Sequence, residues 1–196
     1  MLQKFSENLT DLLLTKGIID SENREIYTYG FVALLSTVIN LIIVLTIGII
    51  AGIALESIFF VLMFGILRMY CGGYHAETHV ACILIFTGIY GTAMIIARFL
   101  PVEAGSAFSM VAGTFSFVVI FLLAPIEHKN KPFIDDEEAK FRKASRIIAF
   151  IELICIYLII AFFTTAIKAA VLIALAMLSV TFILILAKAT EKKGVK

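Results

Sequence analysis

Charge is scarce in this 196-residue chain. Asp, Glu, Lys and Arg make up 16% of residues, against about 25% in an average soluble domain. Neither sign dominates, since 16 Lys and Arg face 15 Asp and Glu. No broad basic field is present to bind nucleic acid. Tryptophan is absent, and three cysteines are too few for a secreted disulfide scaffold. No internal repeat is visible, which leaves an inverted-repeat transporter without support. No cleavable signal peptide is visible either: the first 29 residues mix both charges, and the first long apolar run begins only after Tyr29. What the chain has instead is apolar residues, 61% of the total, at a mean hydropathy of +1.04. One soluble core of this length cannot bury that much apolar surface. The composition predicts a polytopic membrane protein of one domain.

The apolar residues come in long runs. Thirty uncharged residues separate Glu25 from Glu56, and 23 separate Glu103 from Glu127. Eighteen lie between His79 and Arg98, and 19 between Lys168 and Lys188. Crossing about 30 Å of hydrocarbon at about 1.5 Å per residue takes about 20 residues. The pattern predicts an all-α membrane bundle with spans near 30–51, 53–69, 80–98, 106–125, 146–166 and 169–187. As one integral domain over 1–196, it divides into cytosolic helices in 1–29, a bundle over 30–187 and a basic tail over 188–196. With the N-terminus inside, 14 of 16 Lys and Arg fall on the cytosolic side, leaving only Arg98 and Lys168 outside. The positive-inside rule therefore predicts a multi-pass protein with both termini cytosolic.

Residues 2–16 place Leu2, Phe5, Leu9, Leu12 and Leu13 on one helical stripe. This predicts an amphipathic helix on the inner leaflet or under the bundle, ended by Gly17. Asp20 or Ser21 is positioned to cap a second helix feeding the first span. The longest cytosolic loop, 126–145, mixes Asp135, Asp136, Glu137 and Glu138 with Lys129, Lys131, Lys140, Arg142 and Lys143. Glu152 is expected to snorkel or to pair with Arg146 or Lys143, with a role in orienting a catalytic group as the alternative. Cys155, mid-span, reads as a small buried hydrophobe, and His128 as a solvated loop residue.

One segment is unlike the rest. Residues 68–82, Arg-Met-Tyr-Cys-Gly-Gly-Tyr-His-Ala-Glu-Thr-His-Val-Ala-Cys, hold two of the three histidines, two of the three cysteines and an adjacent glycine pair. Polar and ionisable groups at membrane depth are expensive, which makes this cluster a candidate functional site, with polar interface residues that carry no chemistry as the alternative. A thiol beside an imidazole makes a nucleophile and base. His79 and Cys82 are three apart and would touch within one helix. His75 and Cys82 are seven apart, about 10.5 Å of helical rise, so they pair only if His75 folds back from a loop. Gly72-Gly73 is the kind of breaker that permits such a loop. Spacing alone slightly favours His79. Cys71, His75, His79 and Cys82 also form C-x3-H-x3-H-x2-C, a candidate four-ligand zinc set for a metal-binding membrane enzyme or transporter. The H-E-x-x-H order is not met, because Glu77 stands two residues after His75.

Arg68-x-x-x-Gly72-Gly73-Tyr74-His75-Ala76, with Cys82 seven residues after the histidine, resembles the accessory gene regulator B family. These are bacterial membrane cysteine endopeptidases that process quorum-sensing prepeptides. The likeness extends to the hydropathy profile, the basic loop at Pro125…Asn130-Lys131-Pro132 and the Lys-rich tail. Cys71 departs from the family, which usually has a small non-thiol residue there. The resemblance implies that His75 and Cys82 are catalytic, with Arg68 and Gly73 at positions needed for activity. It implies a prepeptide substrate with an amphipathic N-terminus and an acidic C-terminal tail, no cofactor, a homodimer and a bacterial plasma-membrane location with the site at the cytosolic side. Gly72 and Gly73 N–H groups are candidate oxyanion donors. Lys129 and Lys131 are candidate contacts for the acidic tail.

Overall fold

The computed structural model describes residues 2–73, 78–127 and 136–191, the side chains of His79 and Glu191 excepted. Among these it forms seven helices and no strand: α1 (Leu2–Thr15), α2 (Arg24–Ile50), α3 (Ala54–Cys71), α4 (His79–Phe99), α5 (Val102–Leu123), α6 (Glu137–Phe162) and α7 (Ile167–Glu191). Six of them, α2 to α7, are long and apolar enough to cross a membrane, as expected. Short connections at Ala51–Ile53 and Leu100–Pro101, and a 3-10 turn over Thr164–Ala166, make successive spans antiparallel.

The helix ends depart from the hydropathy reading. α6 starts at Glu137 rather than near 146. Its charged first turns are good helix formers, and Arg142 pairs with Glu138 one turn back, so the helix continues past its apolar part. A 3-10 turn over Ser21–Asn23 leads into α2, and the Asp20 side chain makes no capping hydrogen bond.

Gly17 ends α1 as expected, at φ +66°, with Ile18 N–H donating to Leu13 O at 3.0 Å. Of the two placements expected for α1, the structure does not bury its leucine stripe under the bundle: α1 docks on α2 through a polar seam, with Leu2, Leu9 and Leu13 half-buried. Its buried residues are Ser6 and Thr10. Thr28 of α2 donates to Thr10 Oγ1 at 3.1 Å, and Arg24 pairs with Asp11 at 2.9 Å. Phe5 and Leu12 remain exposed.

α7 is the centre of the bundle and packs against α3, α4, α5 and α6. Every residue from Ala170 to Met177 is buried, as suits a helix apolar on all sides. Small residues let the backbones close in, since apolar side chains gain nothing by leaving lipid. A Cβ at Gly105 would lie 2.7 Å from Ile167 Cγ2, and one at Gly113 would lie 2.7 Å from Ile156 Cδ1. α4 is held differently, with aromatic side chains spacing it from α3. Phe64 and Phe86 have ring centroids 5.2 Å apart, and Phe60 and Tyr90 are 6.0 Å apart, edge to face.

Candidate active site

α3 stops at Cys71 because Gly72 takes φ +65°, ψ −145°, and Gly73 takes φ +114°. Side chains are rarely tolerated there. A Cβ on Gly72 would stand 2.2 Å from the Ile126 carbonyl oxygen. That closeness is used: Ile126 N–H donates to Cys71 O at 3.0 Å, and Gly73 N–H donates to Ile126 O at 3.3 Å. The result is a single parallel bridge tying the end of α3 to the α5–α6 connection. Arg68, one turn before the glycines, donates from Nη1 to the Gly72 carbonyl. On the other side, a Cβ at Gly73 would meet Ile183 of α7 at 3.0 Å. The glycine pair is therefore clamped from three directions. The Gly73 N–H, a candidate oxyanion donor, is taken by Ile126 in this arrangement.

α4 begins one residue after Thr78, whose Oγ1 accepts from Ala81 N–H at 3.2 Å. Thr78 is extended, at φ −122° and ψ 146°, so no continuous helix joins Gly73 to Cys82. Cys82 lies in the first turn of α4, its N–H bonded to Thr78 O at 3.1 Å. That is the positive end of the helix dipole. Arg68 is near enough for its charge to act on both Cys71 and Cys82.

A cavity of about 660 Å³ opens between α2, α3 and α4. Its polar lining is Tyr29, Thr37, Asn40, Arg68, Tyr70, Cys82 and Glu127, set among apolar residues such as Phe64, Ile85 and Phe86. Gly72 and Gly73 form part of its wall. The two thiols of the motif part company at this cavity. Cys82 is half-buried and lines it, whereas Cys71 is fully buried in the apolar core with Leu67, Ile120 and Ala149. Of the residues singled out from the sequence, Arg68, Gly72, Gly73 and Cys82 are thus together. His75, Lys129 and Lys131 lie outside the described residues, as do Glu77 and His128, and the side chain of His79 is not described. Among the described residues no group of three or more His, Cys, Asp and Glu side chains is placed to hold a metal ion.

Two residues correct the sequence reading. Glu152 neither snorkels nor pairs with Arg146 or Lys143. It is 5% exposed, and its Oε2 has no hydrogen-bond partner among the described residues. Arg146 instead donates to Phe121 O at 3.1 Å and sits 4.1 Å over the Phe121 ring. The second correction is Asn40, which the sequence reading passed over. Its signal was present, as the single carboxamide in the 30-residue uncharged run between Glu25 and Glu56.

The family model described as Accessory gene regulator B matches residues 5–186. An AgrB-like protein 2 of Clostridium perfringens (strain 13 / Type A) is 30% identical over 166 residues, covering 82% of this chain and 75% of the relative. An AgrB-like protein of Listeria innocua serovar 6a is 31% identical over 161 residues, 80% of this chain and 77% of the relative. No solved structure matches the chain. Together, the family match across nearly the whole length and these relatives show that the chain belongs to the accessory gene regulator B family.

Proposed function

We propose that this protein is a membrane cysteine endopeptidase that removes the C-terminal tail of a quorum-sensing prepeptide and leaves the signal segment poised to cyclise. Family membership supports a role in the accessory gene regulator quorum-sensing system. The observation that carries the finer reading is the position of Cys82: half-buried, in the first turn of α4, on the wall of a cavity bounded by the Gly72–Gly73 turn and Arg68.

In this reading His75 accepts the proton of the Cys82 thiol, and the thiolate attacks the peptide carbonyl before the tail. Negative charge on sulfur and on the carbonyl oxygen meets the positive end of α4 and the Arg68 guanidinium. The C–N bond breaks, the amine of the tail takes a proton from His75, and a thioester remains on Cys82. A Cys or Ser side chain of the signal then attacks the thioester, forming a thiolactone or lactone and returning the Cys82 thiol. The attacker is tethered at high effective concentration, and a site at membrane depth limits competing water. Lys129 and Lys131 supply positive charge for the acidic tail. By the positive-inside rule this end of the bundle faces the cytosol.

The test is cleavage of a synthetic prepeptide by the full chain in nanodiscs. Cys82→Ala and His75→Ala each abolish cleavage while the protein still inserts. Cys71→Ala and His79→Ala retain most activity, and an acyl adduct released by hydroxylamine maps to Cys82. Loss with His79→Ala but not His75→Ala would transfer the base role to His79. Activity that tracks bound zinc would overturn the thiol mechanism.

A further inference from the structure

The wall of the cavity opposite Cys82 holds an unanswered polar group. Asn40 lines the cavity from α2, and its Oδ1 is buried with no hydrogen-bond partner among the described residues. Its height in the bundle follows from a fixed point deeper in the membrane. There Ser57 and Tyr90 share a hydrogen bond of 2.6 Å, and a Cβ on Gly48 would lie 2.3 Å from Ser57 Oγ and 3.4 Å from Tyr90 OH. α2 and α4 run in the same direction from the site end. Asn40 is eight residues before Gly48, and Cys82 is eight residues before Tyr90, so each stands about 12 Å from the fixed point. The carboxamide and the thiol therefore face one cavity from two helices at the same height, within about one helical turn.

An acceptor at mid-helix cannot be satisfied by its own element. Interior N–H groups of α2 already donate to carbonyls one turn back. A hydroxyl in the same position would turn to bond the carbonyl four residues earlier, as Thr37 does to Ala33 O at 2.9 Å. Asn40 Oδ1 needs a donor from across the cavity. The cavity favours an extended peptide as the source: apolar walls take its side chains, and one carboxamide matches in donor and acceptor the N–H and C=O of one extended residue. We propose that Asn40 binds the backbone of the substrate segment beside the scissile bond. Its Oδ1 accepts a peptide N–H and its Nδ2 donates to a peptide carbonyl, which seats the scissile carbonyl against Cys82. This rests on the endopeptidase reading above and adds a positioning residue to it.

The experiment pairs a protein variant with a substrate backbone change. Asn40→Leu in the full chain in nanodiscs should lower kcat/KM for the prepeptide at least tenfold, the loss expected for two hydrogen bonds of ordinary strength. The rate at which iodoacetamide alkylates Cys82 should stay within twofold, because the thiol and its base are untouched. Prepeptides carrying an ester in place of each amide near the scissile bond supply the second arm. One ester position should cost the native protein about tenfold, and that cost should vanish in Asn40→Leu. Asn40→Gln should recover part of the loss. The proposal is overturned if Asn40→Leu cleaves within twofold of native, or if every ester costs both proteins the same. Should Asn40→Leu fail to insert, the ester scan on the native chain decides, and no sensitive position means no backbone contact. A Cys82 acyl adduct that forms normally while these outcomes fail would remove Asn40 alone and leave the endopeptidase reading standing.

Discussion

α7 and α4 are both apolar spans of similar length, yet the fold treats them in opposite ways. In the most apolar 18-residue stretch of α7, 72% of residues are buried; in that of α4 the share is 17%. α7 is wrapped by four helices. α4 packs against α2 and α7, is spaced from α3 by aromatic rings, and borders a cavity on each side. One is the site cavity, and the other, about 630 Å³, lies between α4, α5 and α7. The nucleophile proposed above rides on the loosely packed helix, and the glycine clamp beside it rests on the tightly packed one through Ile183. In the endopeptidase reading proposed above, this division holds the glycine turn still and leaves room beside Cys82 for a peptide. Local stability is lowest where contacts are fewest, and binding segments are drawn from that end.

The seam between the two regions gives the largest expected effect. Gly72→Ala would put a methyl 2.2 Å from the Ile126 carbonyl oxygen at φ +65°. The backbone must leave its present conformation, costing about 3 kcal/mol in strain and lost hydrogen bonds. Prepeptide cleavage should fall to background, and the melting temperature in detergent should drop. Unchanged cleavage would show that the bridge to Ile126 does not hold the site.

A matched pair of leucines tests the comparison directly. Leu184 of α7 is fully buried, whereas Leu84 of α4 is 66% exposed. Leu184→Ala leaves a cavity among packed helices and should cost about 2 kcal/mol, the low end for core truncations because lipid supplies no hydrophobic drive between helices. Leu84→Ala should cost less than about 0.5 kcal/mol. Equal losses, measured as shifts in the unfolding midpoint, would mean α4 is as fixed as α7.

The sequence carried the architecture because hydropathy dictates it: about 20 apolar residues per crossing leave little choice, and the six spans were all found. The motif Arg68, Gly72, Gly73 and Cys82 was also legible, since an adjacent glycine pair, two thiols and two histidines crowd into the 15 residues 68–82. Two kinds of information were not. Helix ends outside the bilayer answer to propensity and i,i+4 pairs, so α6 began at Glu137 beyond its apolar stretch. Facing relations between helices answer to packing. Asn40 stands 42 positions from Cys82 in the chain, and its partnership with the cavity depends on the register of α2 against α4. α1 shows the same limit: its leucine stripe was plain, but a Ser6–Thr10–Thr28 seam decided which face packs.

At the far end of the bundle from Cys82, Lys168 Nζ at the start of α7 lies 2.7 Å from Glu56 Oε1 at the start of α3. It is tempting to credit this pair with anchoring the central helix. The side chains are 48% and 27% exposed, however, and an ion pair in contact with water repays little of the entropy of holding two long side chains still. Lys168→Met should therefore cost less than about 1 kcal/mol. The loss should shrink further as salt rises, because screening at about 8–10 Å weakens an exposed pair first. Cleavage should be unaffected, since α7 keeps Ile183 in place through the buried contacts of Ala170–Met177. A loss comparable to that of Leu184→Ala, insensitive to salt, would show that charge and not packing fixes α7, and the contrast between the two helices would need another cause.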